Sequence, residues 1–390
     1  MPADYGHLDP IAVAVACIIC ILAVLSTKGS SRFNYIASIF HFIIIIFIIV
    51  AGLANADTKN YTPFAPHGAR GIFVSGAVLY FAYVGFDAVA TMAEETKNPA
   101  RDIPIGLVGS MTVTTITYCV LAVTLCLMQS YKNIDPDAPF SLAFESVGLS
   151  WAKYIVAAGA LKGMTTVLLV SAVGQARYLT HIARTHMMPP WLAKVSDRTE
   201  TPINATIVMM FATGVIAFFT ALGILSNLLS ISTLFIFTLV AVALLVRRYY
   251  VAGVTTSATR LKFIICLTVI IGASIATAVT WATGGDGWIG YVITVPIWAA
   301  GTSGIQILVP QVKAPTLWGV PMVPWLPSAS IMLNIFLLGS IDGMSFVRFG
   351  IWTLCLLVYY IFIGLHASYD TAKASDTKPG ELKLEEGARG

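Results

Sequence analysis

Charge is what this sequence has least of. Of its 390 residues only 11% are Asp, Glu, Lys or Arg, while 57% are hydrophobic; soluble domains average about a quarter charged. That shortage excludes a soluble globular domain and leaves a polytopic helical membrane protein. The net charge of +4 therefore bears on topology and not on nucleic acid. Cysteine is also sparse. All six (Cys17, Cys20, Cys119, Cys126, Cys266, Cys355) lie in apolar segments without metal-ligand neighbours, and no metal site is read. Cys17 and Cys20 have C-x-x-C spacing, which on a lipid-facing helix is packing. No nucleophile–base set and no phosphate loop is present, so no enzyme is expected. No cleavable signal peptide is expected either, since Met1 precedes a short polar start and then a full-length span.

Long apolar runs are what the chain does have. A bilayer core of about 30 Å takes roughly 20 residues per helix, and by that rule eleven spans are expected. They lie near 10–27, 35–54, 71–93, 104–129, 152–183, 203–223, 227–247, 261–283, 287–309, 325–341 and 345–367. The tail 370–390 is Lys/Glu-rich and is expected to be disordered and cytoplasmic. Lys and Arg set the orientation. Loops at 28–34, 94–103, 184–201, 247–262 and 310–324, with the tail, hold 16 of the 23; the opposite loops hold five, and Lys162 and Arg177 lie within spans. Excess cations mark the inner side, so the C-terminus is expected inside and, with eleven spans, the N-terminus outside. An external start without a signal peptide suggests missing upstream helices.

Residues 80–106 organise the rest. The span at 71–93 carries Gly85 and Asp87 near its middle and runs into a charged, proline-marked elbow. A carboxylate at membrane depth is costly and by default faces a cavity or a partner. Gly85 lacks a Cβ, so the helix can open beside Asp87 and free backbone groups to hold a small charged solute. The alternative is a buried Asp bonded to a neighbouring helix, with Gly85 serving close packing.

Other polar residues stand out against the apolar background. His41, in the second span, titrates near neutral pH and is a candidate proton carrier; a neutral imidazole bonded across helices is the other reading. Gly159 and Gly163 have the spacing that lets helices approach closely. Lys162 lies near the midplane, where snorkelling is difficult and a counter-ion is expected. Asp87 is its plausible partner. Thr165 and Thr166 add hydroxyls one turn on. In the external loop 55–70, Asn60-Tyr61-Thr62 is a glycosylation sequon weakened by Pro63. The acidic loop 130–151 reads as a solvated turn region. His181 and His186, five apart, read as interfacial rather than as a metal pair.

Several motifs together resemble one family. They are Phe-Ala-Tyr-Val-Gly-Phe-Asp (81–87), Glu-Glu-Thr-Lys-Asn-Pro (94–99) with Ile-Pro-Ile-Gly (103–106), and the run from Arg177 through Met-Met-Pro-Pro-Trp-Leu-Ala-Lys-Val (187–195). The chain resembles the cationic amino acid transporters of the amino acid–polyamine–organocation superfamily. Ala-Leu-Lys-Gly-Met-Thr-Thr (160–166) and Val-Pro-Trp-Leu-Pro-Ser-Ala-Ser (323–330) point to the plant branch. The likeness covers essentially the whole chain.

The resemblance implies an all-α leucine-transporter-like fold of two inverted five-helix repeats with additional C-terminal helices. The spans here match family helices four to fourteen. It implies proton-coupled uptake of arginine and lysine by alternating access, with the proton gradient in place of a cofactor. The membrane implied is the plasma membrane, with the vacuolar membrane as alternative. Phe81, Ala82 and Tyr83 match the carbonyls that hold the substrate's α-amino group in the broken sixth helix. Asp87 would bias the site toward cations. His41 falls where proton-coupled relatives carry a lysine in the fifth helix, Thr165 and Thr166 where sodium-coupled relatives carry hydroxyl ligands. Lys162 departs from animal members. The Gly-rich first helix of the family has no counterpart, which suggests a truncated form. Other readings are a non-transporting partner of full-length carriers and a neutral amino acid or polyamine carrier.

Overall fold

The computed structural model describes residues 10–25, 28–83, 85, 96, 98–136, 138–196, 201–220, 222–283, 288–315 and 318–367. The architecture is helical, with no strand among those residues. Twelve α-helices run in order: α1 (Pro10–Leu25), α2 (Lys28–Ala54), α3 (Gly68–Leu79), α4 (Pro99–Met128), α5 (Pro139–Ser146), α6 (Ala152–Arg184), α7 (Ile203–Phe219), α8 (Leu222–Tyr249), α9 (Ser257–Ala282), α10 (Trp288–Leu308), α11 (Trp325–Leu338) and α12 (Gly343–Tyr359). Among the described residues, six helical stretches are long and apolar enough to cross a membrane, and five shorter apolar helices accompany them. This is an all-helical polytopic membrane protein.

Apolar side chains point outward as well as in, as a lipid environment demands. Along Gly343–Ala367 none of the most apolar stretch is buried, and Ile351, Trp352, Leu354 and Phe362 are all exposed. In water such a stripe would have to be covered. In a bilayer it is a solvated surface.

Two compact units form. One comprises Met1–Thr62, Thr114–Ala221 and Trp352–Gly390, the other Pro63–Val113 and Leu222–Ile351. In the first, Ile44, Ile48, Met128, Phe144, Ala152 and Val156 bury one another between α2, α4, α5 and α6. In the second, Leu245, Tyr249, Phe263, Ile270, Ile305 and Ile331 pack α8, α9, α10 and α11 together. Polar residues inside these packed helices satisfy one another. Thr277 donates to Thr294 across α9 and α10 at 2.9 Å, and the Thr302 and Ser328 hydroxyls meet at 2.6 Å.

Two sequence expectations are corrected. Residues 28–34, read as a basic turn, begin α2; nothing between Ser30 and His41 breaks a helix, and Lys28 and Arg32 are good helix formers. Within 130–151, read as a turn region, Pro139 opens a two-turn helix. A proline is preorganised for that first helical position. The helix is held because Phe144 is fully buried, its ring stacked on Phe47 at 6.0 Å between centroids. The tail 370–390 lies outside the described residues.

Candidate functional site

The helix carrying the organising motif stops short of it. α3 ends at Leu79, Tyr80–Tyr83 form a single 3-10 turn, and Gly85 has φ +120°. An L-residue with a Cβ is strained there, so glycine is what lets the chain leave the helix at this point. The end of α3 is then clamped to its neighbours in the same unit. The Ser230 hydroxyl of α8 donates to the Val78 carbonyl at 3.0 Å. The Tyr80 hydroxyl donates to Asn334 Oδ1 of α11 at 3.4 Å, and its ring lies edge-on to Phe237 at 5.9 Å. Ala77, Ile231 and Leu234 are buried together beneath the break. Phe81, Ala82 and Tyr83 thus share the turn, with Ala82 and Tyr83 half-buried and Gly85 exposed. Asp87 lies outside the described residues, as does its pairing with Lys162.

In the other unit His41 of α2 meets α6. The two glycines read as a close-approach motif are notches for two α2 side chains. A Cβ at Gly163 would stand 2.8 Å from His41 Cε1, and one at Gly159 would stand 2.8 Å from Ile44 Cγ2. The imidazole hydrogen-bonds with the Gly159 backbone and feels the Lys162 ammonium. Its Nδ1 is buried with no hydrogen-bond partner among the described residues. A buried ring nitrogen without a partner is costly, and it is a group able to take or give a proton.

Thr165 and Thr166 lie on the same helix. Their hydroxyls donate to the Leu161 carbonyl at 2.8 Å and the Lys162 carbonyl at 3.0 Å, the back-bonded form common inside helices. Their oxygens retain acceptor capacity. His41, Lys162, Gly163 and the two threonines therefore fall within two turns of one helix pair. The spacing of Gly159 and Gly163 signalled close approach in the sequence. Nothing there signalled that His41 fills the notch, because the α2–α6 register is a tertiary fact.

Asn60 sits in a 3-10 turn (Thr58–Tyr61) capped by Asp57. Its side-chain nitrogen donates to the Leu127 carbonyl at 3.0 Å, the atom a glycan would take.

A further cluster escaped the sequence reading. In the unit holding α3, Asp342 lies between α11 and α12. It accepts from Asn227 Nδ2 at 2.8 Å, from Ser345 N at 2.9 Å and from the Ser345 hydroxyl at 2.7 Å. The Ser345 hydroxyl, more than any other neighbour, holds this carboxyl below the usual range, with the Ser345 N–H and the Arg348 charge assisting. A cavity of about 580 Å³ opens beside it, lined by Arg70, Val74, Trp281 and Phe346 among others. An Asn in the first turns of an apolar helix was the available signal.

Comparison with known proteins gives this arrangement its context. The amino acid permease family matches residues 10–300, and the C-terminal region of amino acid permeases matches residues 318–368. The chain belongs to the amino acid permease family. This permease is 69% identical over 385 residues to cationic amino acid transporter 1 of Arabidopsis thaliana, covering 98% of the chain and 65% of that protein. It is 55% identical to cationic amino acid transporter 5 of the same plant, over 95% of the chain and 66% of the relative. Identity to cationic amino acid transporter 8, vacuolar, is 52%, over 94% of the chain and 62% of the relative. The permease is accordingly a plant-type member of the cationic amino acid transporter group in the amino acid–polyamine–organocation superfamily. It spans just under two thirds of the length of these relatives. The family is one of transporters, not enzymes.

Proposed function

We propose that the chain serves transmembrane uptake of cationic amino acids, arginine and lysine, coupled to protons and working by alternating access at the plasma membrane. The observation that carries the reading is the end of α3 at Leu79, followed by the Tyr80–Tyr83 turn and Gly85 at φ +120°. Where a transporter helix is discontinuous inside the apolar layer, backbone carbonyls that have left the helical ladder can take up a substrate ammonium. Phe81, Ala82 and Tyr83 supply those carbonyls, Gly85 permits the break, and Asp87 biases the site toward a second positive charge. The unpartnered His41 Nδ1 beside Lys162 supports a proton-carrying role for His41, with Thr165 and Thr166 lending acceptor oxygens nearby. The names of the relatives point to the same substrate class.

The test is radiolabelled lysine uptake at pH 5.5 and 7.5 in transporter-deficient yeast. This chain is compared with one that also carries the residues its longer relatives have beyond the matched region. Uptake by either form that is greater at pH 5.5 is expected. No lysine uptake by either form at either pH overturns the reading.

A further inference from the structure

One end of the unit built from α3 and α8–α11 gathers cations from two separate stretches of chain. Residues 247–262 contain Arg247, Arg248, Arg260 and Lys262, residues 310–324 contain Lys313, and neither stretch contains an Asp or Glu. The fold brings these stretches together. Tyr249, at the end of α8, stacks on Phe263 in the second turn of α9 with centroids 6.0 Å apart, which places Arg260 and Lys262 beside the end of α8. The loop after α10 is tied to the same point. The Val312 and Lys313 N–H groups both donate to the Arg248 carbonyl, at 3.0 and 3.2 Å, and Gln311 Nε2 donates to the Tyr249 hydroxyl at 3.2 Å.

Arg248 is buried under that loop; a Cβ at Gly319 would stand 2.9 Å from its guanidinium. Arg247, Arg260, Lys262 and Lys313 remain exposed. Trp318, 52% exposed, and Met322, 73% exposed, stand on the same loop. An exposed tryptophan at the end of a helix group is the side chain that settles at headgroup depth.

We infer that this end of the unit is a binding surface for anionic phospholipid headgroups of the leaflet it faces. Orientation by the Lys/Arg excess makes that the inner leaflet, whose surface is negative. A general positive-inside bias needs only cations somewhere in the loops. Here the loop that carries Lys313 is pinned by three hydrogen bonds to the helix end that carries Arg247 and Arg248, so the backbone positions that bear these charges are fixed before a headgroup arrives. Preorganisation of this kind turns diffuse attraction into retention of a particular lipid. The two phosphate-facing types of donor are both present: guanidinium groups that grip two oxygens at once and ammonium groups that act as point charges. Trp318 and Met322 supply the apolar contact that lies beneath a headgroup.

The test is native mass spectrometry of the full chain in detergent, with phosphatidylserine or phosphatidylcholine added. The wild type is expected to retain phosphatidylserine and to shed phosphatidylcholine. The triple variant Arg260→Gln/Lys262→Gln/Lys313→Gln is expected to lose retention by about fivefold per cation removed. The variant Lys132→Gln, whose lysine is in the other unit, is expected to retain as wild type. Soluble inorganic phosphate at millimolar concentration should not displace the lipid; displacement would mean a free-anion site and overturn the lipid assignment. Equal retention of both lipids, or wild-type retention by the triple variant, also overturns it. If the triple variant fails to keep its helicity, the same question is put to the wild type and Trp318→Phe. Brominated phosphatidylserine should quench Trp318-dependent emission more than brominated phosphatidylcholine, and equal quenching refutes the inference.

Discussion

Gly163 presents its bare Cα to His41, so close that a methyl group there would stand 2.8 Å from the imidazole Cε1. Real Cβ atoms do not approach so near, and the ring or the helix must give way. Gly163→Ala is therefore expected to cost about 1–3 kcal/mol, the usual penalty of overpacking. Thermal unfolding in detergent measures it. Adding His41→Ala should restore part of the loss, since the two residues share one contact; a strictly additive double variant would show that the clash is relieved elsewhere.

His41→Ala should flatten the dependence of lysine uptake on external pH while leaving residual uptake at pH 7.5. The charged group facing His41 from α6 is Lys162. Uptake measured from pH 5 to 8 decides the matter. A wild-type profile in the variant removes His41 from coupling.

Asp87→Asn should weaken uptake of lysine at least tenfold more than uptake of leucine, because the lost charge matters only to a cationic side chain. Competition of each amino acid against labelled lysine gives the ratio. Equal losses for both would take Asp87 out of selectivity.

Asp342 supplies a pH dependence outside the apolar layer. Its carboxyl is held below the ordinary range chiefly by the Ser345 hydroxyl, so the folded form binds its proton less readily than the unfolded chain. The associated stabilisation is present above the unfolded carboxylate range and is lost as pH falls through the folded value. Unfolding temperatures taken from pH 6 down to pH 3 should show the wild type losing stability on acidification more steeply than Asp342→Asn. Parallel curves would mean that the Asn227–Asp342–Ser345 network is energetically silent.

The helical, membrane-bound character was legible because lipid removes the usual ambiguity: long apolar runs such as Ser257–Ala282 have few other fates. Glycine carried much of the site. Gly85 marked a place where the backbone departs from helix, and the α-helix already gives way to a 3-10 turn at Tyr80. That earlier stop depends on Ser230 and Asn334, which reach Val78 and Tyr80 from helices more than a hundred residues away. Gly159 and Gly163 announced a close contact but not its partner, for His41 and Ile44 become partners only through the register of α2 on α6. The Asp342 cluster was hidden for the same reason: Asn227 is 115 residues distant in sequence. Local spacing speaks of what a segment can do, and pairing across the fold decides what it does.

The seating of α2 on α6 behaves like a vernier. Its two knobs, His41 and Ile44, are three residues apart, and its two notches, Gly163 and Gly159, are four apart and run the other way. Slipping α2 by one turn in one direction would set Ile44 against Ile155; slipping it in the other would set His41 against Val167. Both encounters are bulky against bulky. The observed setting puts both side chains against glycine, and this register sets the depth of the imidazole relative to Lys162 and the threonines.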